Sequence, residues 1–200
     1  MTLSLREKRR QETALQIQKA TLELAMKDGL EGVTTDEIAA ASGVSTRTFF
    51  NYYANKEAAA IGHPPAFTEE QKDALRDGSG PLAADIKRLL DNQIETLSKN
   101  EDILRMVGKT LRSNEKARGI LDGFLSAERR ALSETLCSRV GNRQAAASLA
   151  NSVTNAIGSA IFLWEHEESM TLGMALDAVW EGLIDASRLL SSSNDEEAQT

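Results

Sequence analysis

Between Thr34 and Lys56 the chain gathers side chains that can grip a nucleic acid: Thr34, Thr35, Ser45, Thr46, Arg47, Thr48, Asn51, Tyr52 and Lys56. An arginine can hold a guanine edge with two hydrogen bonds. A threonine can meet a thymine methyl or a phosphate, and Asn and Tyr can bind phosphate oxygens. Lys56 stands at a helix start, where an ammonium and free backbone N–H groups together can hold a phosphate. Thr46 to Tyr53 packs six hydrogen-bond donors into eight positions. A helix serving only as packing would carry Ala, Glu and Lys there, because Thr is a poor helix former and paired tyrosines are a costly surface. The competing reading is a solvated helix with its aromatic face turned to the core. That reading suits Phe49, which can pack back on Ile38 and Val44. For Arg47 and Tyr52 the density of donors favours groove or phosphate contact.

Two short helices joined by a tight turn must position these groups. Thr34 or Thr35 can cap the first, with Asp36 and Glu37 in its first turn, where carboxylates meet the positive end of the helix dipole. Gly43 stops that helix by taking the left-handed backbone region, and Val44 plugs the space between the two. Ser45 caps the second helix, Thr46 to Tyr53, and Asn55 caps a third from Lys56. Helix, short turn with Gly, helix is the helix-turn-helix pattern. Ahead of it Ala14, Ile17, Ala20, Leu24 and Ala25 recur at helical spacing from Leu5 to Asp28, ended by Gly29 and Leu30. Val33 staples the next helix start. This first helix packs across the pair and completes a three-helix, homeodomain-like module. Its basic start, Arg6, Lys8, Arg9 and Arg10, can follow phosphates or simply be solvated.

The stretch resembles the DNA-binding segment of the tetracycline-repressor (TetR) family of bacterial transcription regulators. Thr34–Thr35, Ile38–Ala39, Ala41-Ser42-Gly43-Val44-Ser45, Thr48-Phe49-Phe50, Tyr52-Tyr53 and Lys56-Glu57 carry the resemblance. The chain departs from the family pattern at three positions. Phe50 stands where Tyr is common, which removes a phosphate-binding hydroxyl. Arg47 stands where Gly is common, which adds a base reader. Ala59 stands where Leu is common, which implies looser docking of the helix from Lys56. The resemblance covers about the first sixty residues; the remainder shares only length and helical pattern.

Net charge is −7, which looks wrong for a DNA binder until it is divided along the chain. Residues 1–56 hold eight Lys/Arg against seven Asp/Glu, and the remainder holds 15 against 23. An acidic remainder suppresses non-specific DNA binding, so a site-selective protein fits and a nucleoid-coating one does not. Few aromatics and three prolines favour an all-α fold, and 41% hydrophobic residues suffice for a core. The single Cys137 excludes an internal disulfide and a cysteine metal cluster. It reads as a small apolar residue, with a redox sensor as the rarer role. His63 lies beside prolines and His166 among glutamates at a solvated helix end, so no metal site or cofactor is expected. The chain has no nucleophile elbow, no P-loop and no His-Glu-x-x-His, so no enzyme is indicated. The start does not read as a signal peptide, and no stretch approaches a membrane span of about 18 apolar residues. A cytoplasmic location and no membrane partner are therefore expected.

The expected organisation is a helix-turn-helix DNA-binding domain over 1–60, a connector over 61–81, a helical dimerisation and effector-binding domain over 82–190, and a disordered tail over 191–200. In the connector, Gly62-His63-Pro64-Pro65 breaks a helix, and Thr68 to Leu75 forms a small capped one. Helices are predicted at about 82–98, 101–112, 114–139, 143–165 and 171–190. The last two are rich in small residues and carry both tryptophans, a composition suited to close helix contact. Leu149, Val153, Ile157, Trp164, Leu176, Trp180 and Leu183 are the candidate interface of a homodimer; the competing reading is that they cover a monomer core. Met106, Phe124 and Trp164 are candidate liners of a pocket for a small hydrophobic ligand, and equally suit plain core. Taken with the resemblance, this implies a repressor-type regulator that binds a palindromic double-stranded operator as a dimer and is released by ligand. Two rivals stand beside it. One is a ligand-independent or partner-controlled DNA-binding regulator. The other is a helical scaffold or enzyme whose helix-turn-helix serves only packing.

Overall fold

The computed structural model describes residues 4–197, with side chains as far as Ser191. Among the described residues every regular element is helical: α1 (Leu5–Gly32), α2 (Thr35–Ala41), α3 (Thr46–Tyr52), α4 (Lys56–Ile61), α5 (Glu69–Asp77), α6 (Leu82–Ser98), α7 (Glu101–Ser113), α8 (Glu115–Val140), α9 (Arg143–His166) and α10 (Leu172–Glu197). The chain divides into two compact units. One holds the residues before Pro65 together with 100–124; the other holds 65–99 and the residues after Phe124.

The N-terminal unit has two apolar clusters, and α1 contributes to both. Ala14 and Ile17 pack with Val33, Ile38, Ala39, Phe49, Tyr53 and Ala59, which joins α1 to the helix-turn-helix and α4. Leu22, Ala25 and Leu30 pack with Ala60, Ile61 and Ala117, against partly buried Ile103, Met106, Val107, Leu111, Ile120 and Leu121. This second cluster joins residues from beyond position 100 to the N-terminal unit. The three-helix module leaves a second apolar face on α1 and α4, and α7 with the start of α8 covers it. Ala59 is fully buried, and Ala60 and Ile61 follow it inward, so α4 is docked despite the short side chain. Its C-terminus is closed by the buried Gln18, whose Nε2 donates to Ala60 O at 3.2 Å and Ile61 O at 2.9 Å.

The C-terminal unit packs α9 along α10 and sets α6 against both, with α5 on α6. Ala146, Ala150, Ala156 and Ala160 of α9 meet Leu172, Ala175 and Leu176 of α10 as buried residues, and the small side chains let the backbones approach. Arg139 ties the α5–α6 turn. It pairs with Asp85 at 2.7 Å and donates to Leu75 O at 2.9 Å and Gly80 O at 2.6 Å. Asp85 also meets Arg88 at 2.9 Å. The Arg139 hydrogen bond holds the Asp85 carboxyl below its ordinary 3.8.

The segment 191–200 is expected as a disordered tail; α10 runs as far as Glu197, and residues 198–200 lie outside the described residues. No stretch was expected to approach a membrane span, yet α9 is long and apolar enough by length and composition, with a mean hydropathy of 1.2 over its best window. Its alanines raise that average, and the packing against α10 accounts for them.

Candidate nucleic-acid interface

The turn between α2 and α3 is built by local chemistry. Thr34 caps α2: its Oγ1 accepts from Glu37 N at 3.3 Å, and its own N–H and hydroxyl donate to Glu37 Oε2 at 2.8 and 2.7 Å. These bonds hold the Glu37 carboxyl below its usual range. Gly43 takes φ +69°, a region that other residues enter at a cost, and Val44 N donates back to Ala39 O at 3.0 Å. Val44 then packs against the cluster around Phe49 and Ile38. Ser45 caps α3 by accepting from Thr48 N at 3.0 Å, and Asn55 caps α4 by accepting from Ala58 N at 2.7 Å. Phe49 is fully buried, as its spacing from Ile38 and Val44 predicts.

The structure sorts the donors expected from sequence into engaged and free. The Thr46 hydroxyl donates to Asp36 Oδ1 at 2.6 Å, fastening α3 to α2. Ser45 and Thr48 share their hydroxyls at 2.8 Å. Thr35 opens α2 and is partly buried. Tyr52 is half-buried beneath Arg10, whose guanidinium stands 5.8 Å over its ring. Lys56 donates to Glu31 O at 2.9 Å and Val33 O at 3.0 Å, tying α4 to the end of α1. Two of its three donors satisfy these carbonyls, which leaves one for the phosphate expected from the sequence. Arg47 and Asn51 alone of the nine are both fully outward and without a side-chain hydrogen bond or ion pair among the described residues.

Arg47, Phe50 and Asn51 lie at positions i, i+3 and i+4 of α3, and all three are exposed. They form the outward stripe of α3, opposite the buried Phe49. Phe50, which the sequence reading treated only as a lost hydroxyl, is 53% exposed in the middle of this stripe. Its helical spacing from Arg47 was the available signal. Behind the stripe, Tyr53 donates to Ala14 O at 3.1 Å and lies 3.2 Å from His63 Nδ1; burial pushes its phenol up to about 12. Arg6, Lys8, Arg9 and Arg10 are exposed along the start of α1.

The other candidate residues fall differently from the sequence reading. Val153, Trp164 and Leu176 are at most 2% exposed within their own unit, so they have no surface left for a second copy. Leu149, Ile157, Trp180 and Leu183 are partly exposed. Phe162 and Met174, which the sequence reading did not select, are 63% and 52% exposed on the same two helices. The candidate pocket residues divide between the units: Met106 packs in the N-terminal unit, Phe124 is its last residue, and Trp164 is buried in the other. Two clefts open within the C-terminal unit. One, of about 350 Å³, includes Gln71, Asp85, Arg88 and Asn92 in its lining. The other, of about 720 Å³, lies along α8 and α9 and is lined by Arg129, Arg130 and Arg143 beside Ser133, Glu134 and Cys137.

A capped helix-turn-helix that holds an outward polar and aromatic stripe on its second helix, in an all-α chain, has the architecture of a helix-turn-helix DNA-binding module. Residues 17–58 match the model of a family described as bacterial regulatory proteins, tetR family. The HTH-type transcriptional regulator TcmR of Streptomyces glaucescens is 28% identical over 142 residues, which are 62% of this chain and 63% of that protein. The match thus spans less than two-thirds of that relative. Among solved structures, a TetR-family transcriptional regulator from Syntrophomonas wolfei superposes with a TM-score of 0.64 at 17% identity, over 86% of this chain and 93% of that one. The transcriptional regulator FadR from Bacillus subtilis, in complex with stearoyl-CoA, gives 0.53 at 16% identity, over 84% and 95%. At these identities the two structures establish likeness of fold. Over residues 17–58 the chain is thus similar to the tetR family of bacterial regulatory proteins, and its fold is like that of solved members.

Proposed function

We propose that this regulator reads a palindromic operator as a homodimer, through Arg47 and Asn51 of α3, and is released by a small ligand. The outward stripe of α3 carries the reading. It presents a free guanidinium and a free carboxamide, the two side chains best suited to guanine and adenine edges, on a helix fixed at its N-terminus by Ser45 and Thr46. Two copies present two such helices, matching half-sites about one helical turn apart. The exposed apolar side chains of α9 and α10, Phe162 and Met174 among them, supply the face for the second copy. For the effector, the cleft along α8 and α9 favours a molecule with an anionic group over a wholly apolar one, since three arginines line it. The stearoyl-CoA of the B. subtilis FadR complex is a ligand of that chemistry, an acyl chain joined to phosphates.

Selection of bound sequences from a random duplex DNA pool tests the reading. A palindromic winner is expected, with affinity falling steeply as salt rises. Arg47→Ala should lose about 1–3 kcal/mol of affinity for the winner and relax selection at one position per half-site. An enriched site bound equally well by Arg47→Ala would remove Arg47 from base reading. A complex that stearoyl-CoA does not release would move the proposal toward a ligand-independent regulator or another effector class.

A further inference from the structure

We propose that Phe50 is a base-reading residue, whose ring takes the 5-methyl group of a thymine in the major groove. This rests on the DNA-binding reading above and names a contact within it. Three observations carry it. A phenylalanine 53% exposed on a seven-residue helix is a cost without a partner, since large aromatics are rarely left in water. Phe50 lies in one stripe with Arg47 and Asn51, the two free polar groups, so a surface met by those two also meets the ring. Its orientation is supported from beneath: the Phe50 ring stands edge-on to the buried Phe49 at 5.3 Å and 89°. The major groove offers one apolar group, the thymine methyl, and an apolar side chain between an arginine and an asparagine is the complement to it. The stripe then reads three kinds of edge in order: a purine acceptor pair by Arg47, a methyl by Phe50, and an adenine by Asn51.

The test uses the full-length protein and the duplex selected from a random pool. Each thymine of one half-site is replaced in turn by deoxyuridine, which removes only the methyl. For the wild type, one such replacement should weaken binding about fourfold, the value of burying one methyl-sized group. In Phe50→Ala the same replacement should change nothing, because the partner is gone. Thermal melting of Phe50→Ala should match the wild type, since the ring lies outside the core. A selected half-site that tolerates uracil at every thymine, or lacks thymine altogether, overturns the assignment and leaves the DNA-binding reading standing. A uracil penalty that persists in Phe50→Ala also overturns it. If no sequence is enriched, the operator reading falls and this contact falls with it.

Discussion

At the scale of single residues, tertiary hydrogen bonds decide which polar groups are free to act. Lys56 shows this most directly. The sequence places it at a helix start, suited to a phosphate; in the fold two of its ammonium donors hold Glu31 O and Val33 O. Lys56→Ala should therefore lower unfolding stability by about 1–2 kcal/mol, as loss of charge-assisted hydrogen bonds does. A direct phosphate contact would appear as a salt slope reduced by about one in DNA titrations; the expected change is smaller than that. Gly62 is a second case. It takes φ +70°, and a Cβ there would stand 2.3 Å from the Gln18 carboxamide. Gly62→Ala combines left-handed backbone strain, about 1–2 kcal/mol, with displacement of Gln18 from the carbonyls of α4. A loss of about 2–4 kcal/mol in urea unfolding is expected; a change near zero would mean that the Gln18 closure contributes little.

At the scale of elements, caps and turn residues were legible because their chemistry is local. Ser45, Asn55, Thr68 and Gly43 act within four residues of themselves, and each does what its type and spacing suggest. The fastening of α5 to α6 was not legible, because Arg139 reaches it from far along the chain. The Arg139–Asp85 pair makes a pH prediction whose sign follows from the Asp85 carboxyl. Its pKa in the folded protein lies below the ordinary 3.8, chiefly through the hydrogen bond from Arg139. The stabilisation is thus complete above that value and is lost as pH falls through the depressed one. Arg139→Ala should destabilise the protein at neutral pH and unfold it at a higher pH during acid titration. An acid transition at the wild-type pH would show that Asp85 draws its stabilisation from Arg88 instead.

At the scale of the whole molecule, charge and apolar surface divide the labour. The N-terminal 56 residues are near neutral, with exposed cations at Arg6–Arg10 and at Arg47, while the rest of the chain carries the acid. An acidic body restrains non-specific attachment to DNA. On the proposed reading, the apolar side chains that remain in water on α9 and α10 are the face for a second copy. Phe162→Glu should leave the fold intact, since Phe162 is 63% exposed. It should weaken self-association at least about tenfold, or about 1.4 kcal/mol. Sedimentation equilibrium over a concentration series reads this directly, and an unchanged association constant would place the dimer contact elsewhere.

The sequence alone determined the helix positions, the turn at Gly43, the caps and the DNA-binding class. These depend on side-chain types at short spacings, where one residue acts on the next turn. Tertiary structure decided what depends on residues remote in the chain. It assigned α7 and the start of α8 to the second apolar face of α1 and α4. It engaged Lys56 and Thr46 in holding helices together and left Arg47, Phe50 and Asn51 outward. It buried Val153, Trp164 and Leu176 while leaving Phe162 in solvent. An amphipathic pattern tells which residues seek cover but not what covers them. That choice is made by long-range packing, which periodicity along one helix does not encode.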